Sequence, residues 1–149
     1  MAVKVFQFLA IMLTAISLVP GGAHVAEMPA KMRLEGGAYH TVQQLYAGWS
    51  YFGWALFAAI GAGGILTFLL RDHARSIYWS IGGTVAMAAT LVTFFVFVFP
   101  VNQATENWTA MPDNWPALRQ QWEYVHALNA ALTFLALCAF VLAALSWKD

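Results

Sequence analysis

Seven residues near the C-terminus, Trp115, Arg119, Trp122, Glu123, His126, Asn129 and Thr133, recur at steps of three, four and seven. On an α-helix such steps share one face. From Arg119 to Asn129 the stripe runs about 15 Å at 1.5 Å per residue. It combines a cation, a carboxylate, an imidazole and amide or hydroxyl groups with two indoles. An imidazole is the side chain whose ordinary titration lies nearest neutral pH, so His126 is a candidate general base. The alternative is a buried, hydrogen-bonded structural histidine. The following run, Ala130 to Leu145, is almost wholly apolar and reads as membrane-embedded. Ionisable groups entering a bilayer are costly and face a protein interior or a wet cavity.

Other polar residues fall at the same end of the expected helices: His24, Glu27, Lys31, His40, Gln43, Gln44, Asn102, Glu106 and Asn107. His24-x-x-Glu27 and Glu123-x-x-His126 are mirror-image pairs, each about one helical turn long. Similar pairs hold di-metal centres in helical bundles, which need further carboxylates from the other two helices. No carboxylate lies near His40, and helix three has none, so a di-metal centre is not expected. A single metal on His24, Glu27 and His126, a haem on His24 or His126, or no cofactor at all remain open. Glu27–Lys31 and Arg119–Glu123 also have the spacing of ion pairs along a helix. Trp49, Trp54, Trp108, Trp115 and Trp122 gather towards this end. They fit an interfacial aromatic belt, or a stack around a flat apolar ligand. Trp108, Trp115, Asn129 and His40 are the candidate substrate contacts.

The elements that must position these groups are membrane helices. The 149 residues are 61% hydrophobic and 9% charged, against about 25% charged in soluble domains. Four apolar spans, about 3–20, 45–70, 77–99 and 122–147, are each long enough to cross a hydrocarbon core of about 30 Å. The expected fold is all-α, a single integral-membrane four-helix transmembrane bundle of up-down topology. Helix one is expected to loosen at Pro20-Gly21-Gly22 and to stop at Pro29. Its N-terminus imitates a signal peptide, but without a tidy cleavage site, so an uncleaved helix is expected. Helix two is expected to run unbroken from Ala38 to Leu70, with its first two turns outside the membrane. Helix three should close at Pro100, leaving Val101 to Asn114 as a loop. Asn114 and Pro116 suit the N-cap and first turn of helix four. The glycines of helices two and three, Gly48 among them, read as packing positions.

Seven basic residues balance seven acidic ones, without a basic block, so nucleic acid is not an expected partner. Cys138 is the only cysteine and reads as a core residue. Lys4, Arg71, Arg75 and Lys148 face one side, against Lys31, Arg33 and Arg119 on the other. That bias favours cytoplasmic termini, in a bacterial inner membrane. The expected partners are the lipid bilayer, a lipophilic small molecule, and either further copies of the chain or a larger membrane complex.

Phe99-Pro100-Val101-Asn102, Asn107-Trp108 and Arg119-x-x-Trp122-x-x-x-His126 resemble the small four-span proteins of the DUF1772, or anthrone oxygenase-like, family. His24-x-x-Glu27-x-Pro29-x-Lys31 and the segment Tyr39 to Trp49 extend the resemblance. Some members oxidise anthrones to anthraquinones with molecular oxygen and no identified cofactor. The resemblance implies a site core of Asn102, Arg119, Trp122 and His126. The chain departs from the anthrone-oxidising members at Asn129, where they are expected to carry arginine. The leading expectation is a membrane oxidoreductase or oxygenase for a lipophilic aromatic or quinone-like substrate. His126 would remove a proton, and Arg119 and Asn102 would hold the oxyanion. The alternative is a non-enzymatic accessory or assembly subunit of a membrane complex. A transporter is the weakest reading, since no broken-helix repeat is visible.

Overall fold

The computed structural model describes residues 1–148. Its elements are α1 (Ala2–Lys31), α2 (Gly36–Gln43), α3 (Phe52–Leu69), α4 (Ala74–Thr93), α5 (Phe99–Ala104) and α6 (Trp115–Ser146). Four stretches, Ala2–Lys31, Trp49–Leu69, Ala74–Ala104 and Trp115–Ser146, are long and apolar enough to cross a membrane. α1 packs on α3 and α6, α6 on α4, and α4 on α3, which closes a four-helix ring. Lys4 lies 5.5 Å over the Trp147 ring, and His73 lies 6.3 Å from the same ring. The start of α1, the turn after α3 and the end of α6 therefore share one end, as up-down topology requires.

That end is packed tightly. Ala10, Ala59, Ala62, Leu66, Leu70, Met87, Ala136 and Phe140 form its buried core. Small residues let the backbones approach, and one large ring fills the gap between them. A Cβ added at Gly63 would lie 2.7 Å from Phe140 Cζ, and one at Gly83 would lie 2.9 Å from Phe140 Cε1. At the opposite end Tyr39, Val98, Val101, Trp108 and Trp122 make a second, aromatic core.

Five local expectations give way. Pro29 does not stop α1, which continues to Lys31 with Pro20 and Pro29 both inside it. Proline is tolerated in membrane helices where neighbours re-satisfy the freed groups, and the buried contacts of Lys31 hold this last turn. The expected second helix breaks. α2 passes through a 3₁₀ turn (Gln44–Tyr46) to Gly48, whose φ of 87° is left-handed, then through another (Trp49–Tyr51) into α3. Gly48 is thus a hinge of the backbone rather than a packing position. Pro100 does not close the third span. A π-helical turn (Phe94–Val98) precedes it, and α5 carries the chain on to Ala104. The wider turn accommodates the ring of Pro100, and Gln121 donates to the Phe97 carbonyl at 2.8 Å. Asn114 stands at the N-cap of α6 without a side-chain cap bond, whereas Pro116 does occupy the first turn.

Candidate functional site

The last two turns of α1 bring two groups inward. His24 and Lys31 are seven residues apart, two turns on one face, and both are buried. The Lys31 Nζ lies 2.9 Å from Glu123 Oε1 on α6. It also donates to His24 Nδ1 at 3.3 Å and stands 4.9 Å and 5.3 Å from the Tyr46 and Trp122 ring centroids. An ammonium only donates, so Nδ1 accepts and the N–H of His24 is at Nε2. Neither expected helical ion pair forms. Lys31 goes to Glu123 rather than Glu27, because both Lys31 and Glu123 face the bundle interior. Glu27 is exposed and accepts from the Tyr46 hydroxyl.

The Tyr39 hydroxyl donates to Glu123 Oε1 at 2.9 Å and accepts from the Gln43 amide. Burial, then the negative charge of Glu123 and the bond to it, holds the Tyr39 phenol well above its usual range. Burial and the bond to Glu27 move Tyr46 the same way. A phenol raised on folding favours the neutral form. Its stabilisation is complete below the unfolded phenol value, about pH 10, and is lost as pH rises beyond it. The thermal midpoint of the detergent-solubilised protein is therefore expected to hold up to about pH 10 and fall above it. Tyr39→Phe is expected to lower the neutral-pH midpoint and to flatten the alkaline fall, leaving the part due to Tyr46. Equal slopes for both proteins would remove Tyr39 from the account.

Between the two cores lies a cavity of about 800 Å³. His24, Trp49, Asn102, Trp108, Trp122, His126 and Asn129 are in its wall, with Tyr46, Phe94 and Phe95. The His24 and His126 rings are 4.6 Å apart, and His126 packs 4.1 Å from Trp122. Among the described residues no hydrogen-bond partner reaches either ring nitrogen of His126, so both stay free for a ligand. Trp122 Nε1 donates to Asn102 Oδ1 at 2.9 Å. An indole N–H can only donate, so this bond orients the amide and leaves the Asn102 Nδ2 donor unspent. Asn129 is bonded to Thr93 of α4. Glu106, Asn107 and Trp108 follow one another with φ of 48°, 55° and 63°. Such left-handed residues cost about 1–3 kcal/mol each and persist where the surroundings enforce them. Here the Trp108 N–H is held by Thr105 Oγ1 at 3.1 Å, and the indole is turned into the aromatic core.

Other expected site residues lie outside this wall. Arg119 donates to the Leu34 carbonyl at 2.7 Å and stacks 4.8 Å from Trp115 and 5.4 Å from Tyr39. It clasps the connection after α1 to α6. Trp115 is its stacking partner and abuts Gly36. Both His40 nitrogens face carbonyls, Gly36 at 3.1 Å and Ala110 at 2.9 Å, so His40 ties α2 to the loop before α6. Glu27 does not join the two imidazoles. Among the described residues no three His, Cys, Asp or Glu side chains gather as a metal-binding group. Sequence reasoning missed Lys31, Tyr39 and Gln43 as a connected set. The seven-residue step from His24 to Lys31 was the available signal.

No family model, curated protein or solved structure matches the chain.

Proposed function

We propose that the chain is an integral-membrane oxidoreductase acting on a lipophilic aromatic or quinol-like substrate in this cavity, after the manner of the anthrone oxygenase-like family that it resembles. The observation that carries the reading is His126, an imidazole with both nitrogens unspent, in the wall of an aromatic-lined cavity large enough for a drug-sized ligand. His126 takes a proton from an acidic ring CH₂ or O–H. The Asn102 amide N–H faces the phenolate that forms. Lys31 supplies a cation behind His24, which bears on the arginine absent at position 129.

For an anthrone the electrons pass from the anion to molecular oxygen. The CH₂ becomes C=O, one atom of O₂ enters that carbonyl and the other leaves as water. Cytoplasmic termini in a bacterial inner membrane fit the placement of cations. Among the described residues, Lys31 is buried in an ion pair and Arg119 is bound to a carbonyl, which leaves Arg33 as the uncommitted cation at the site end. The accessory-subunit reading gives no role to the cavity or to the free His126 ring.

The test is oxygen uptake by the protein in lipid nanodiscs, given a hydroxylated anthrone or an alkyl hydroquinone. Saturable uptake above that of empty nanodiscs is expected with one of them. Rates equal to empty nanodiscs with both would overturn the reading.

A further inference from the structure

The cavity opens at two different rims. At the water-facing end Gln44, Ser50, Glu106 and Thr109 line it and are exposed. Deeper, Phe57 of α3 is 50% exposed and Phe95 of the π turn is 51% exposed, and both also line the cavity. Wall residues left half exposed on membrane-crossing helices point to a gap towards the acyl chains. The π turn contributes to it by setting both Phe94 and Phe95 in the wall.

The buried end of the wall also has unspent hydrogen-bonding capacity. Because the Tyr39 O–H is committed to Glu123, its oxygen can only accept, so Gln43 must present its NH₂ there. That leaves Gln43 Oε1 without a partner in a side chain only 5% exposed. Trp108, 3% exposed, has an indole N–H with no acceptor. Buried polar groups are ordinarily satisfied. Both atoms are enclosed by their neighbours, so the groups that face the cavity with capacity to spare are His126 and the Asn102 amide N–H, which suit a ligand that both donates and accepts.

We propose that the ligand is a bilayer-dissolved amphiphile, a hydroxylated ring bearing an alkyl or prenyl tail, that slides in sideways between α3 and the π turn and leaves its tail among the acyl chains. The ring hydroxyl donates to a His126 nitrogen and a ring oxygen accepts from the Asn102 amide N–H. This rests on the reading of the cavity as a substrate site, but not on turnover there.

The probes are a prenyl-tailed hydroxybenzoquinone in the nanodisc bilayer and the same ring without a tail, added from water. Quinone rings quench the cavity indoles Trp49, Trp108 and Trp122. Gly53 lines the cavity on α3, and a Cβ there meets nothing within 4 Å, so a side chain can grow into the gap. The tailed probe is expected to quench saturably, and Gly53→Phe to weaken its apparent affinity about tenfold or more. Leu91→Trp, from the α4 side of the same wall, is the second blocking variant should Gly53→Phe fold poorly. Non-saturable quenching by the tailed probe, or saturable quenching that both blocking variants leave intact, would overturn the proposal. Saturable quenching without oxygen uptake would sink the catalytic reading and leave this one standing. Oxygen uptake confined to tail-less rings would do the reverse.

Discussion

Exchanging Lys31 for methionine is expected to destabilise the bundle by about 3–5 kcal/mol, the cost of removing one partner from a buried ion pair. Lys31 and Glu123 are 2.9 Å apart, with side chains 2% and 0% exposed. Methionine retains most of the buried stem and removes only the charge. The Glu123 carboxylate is then left in the interior with Tyr39 as its one donor, because Oε2 has no partner. His24 loses its donor at Nδ1 as well. The check is the thermal midpoint of detergent-solubilised protein, followed by aggregation. Lys31→Met should fall steeply, whereas Lys31→Met with Glu123→Gln should regain most of the loss. A neutral amide can still accept from Tyr39, and two uncharged groups replace the broken pair. A single variant as stable as the parent would show that the pair contributes nothing to the fold.

The same pair shows where sequence reasoning reaches its end. The four spans were legible because a long apolar run in a bilayer must satisfy its own backbone, which a helix does. Their interruptions were not. Gly48 sits in an apolar stretch where glycine ordinarily serves packing, and nothing local distinguishes a left-handed glycine from a helical one. Pro29 and Pro100 read as stops, yet tertiary partners and a π turn carry the chain through both. In the site, Asn102, Trp108, Trp122, His126 and Asn129 do meet around one cavity, since polar residues at one depth of a bundle have little other space. Arg119, Trp115 and His40 share that end but are used to clasp its connections. The inward course of Lys31 was easy to miss because a lysine near a helix end ordinarily extends to water. Only the position of Glu123 on another helix draws it inward.

Replacing His126 with glutamine is expected to lower kcat on an oxidisable substrate by about 10²–10⁴, the usual contribution of a positioned general base. Glutamine fills much of the same space against Trp122 and keeps polar atoms at the wall, but it cannot take a proton at neutral pH. KM, and saturable quenching by a tailed quinone, should therefore change little, which assigns the loss to a proton-transfer step. His126→Ala should lose as much and regain part of its rate when free imidazole is added, since the cavity admits a ring of that size. The companion variant is His24→Gln. Its ring is tied through Nδ1 to Lys31, so its removal should lower the thermal midpoint together with the rate. The free ring of His126 has no such tie, and its variants should keep the parental midpoint. A full rate in His126→Gln with a lost rate in His24→Gln would exchange the two roles, making His24 Nε2 the proton-bearing atom at the substrate. Full rates in both would leave the cavity as a binding site whose chemistry belongs to the bound ring and oxygen alone.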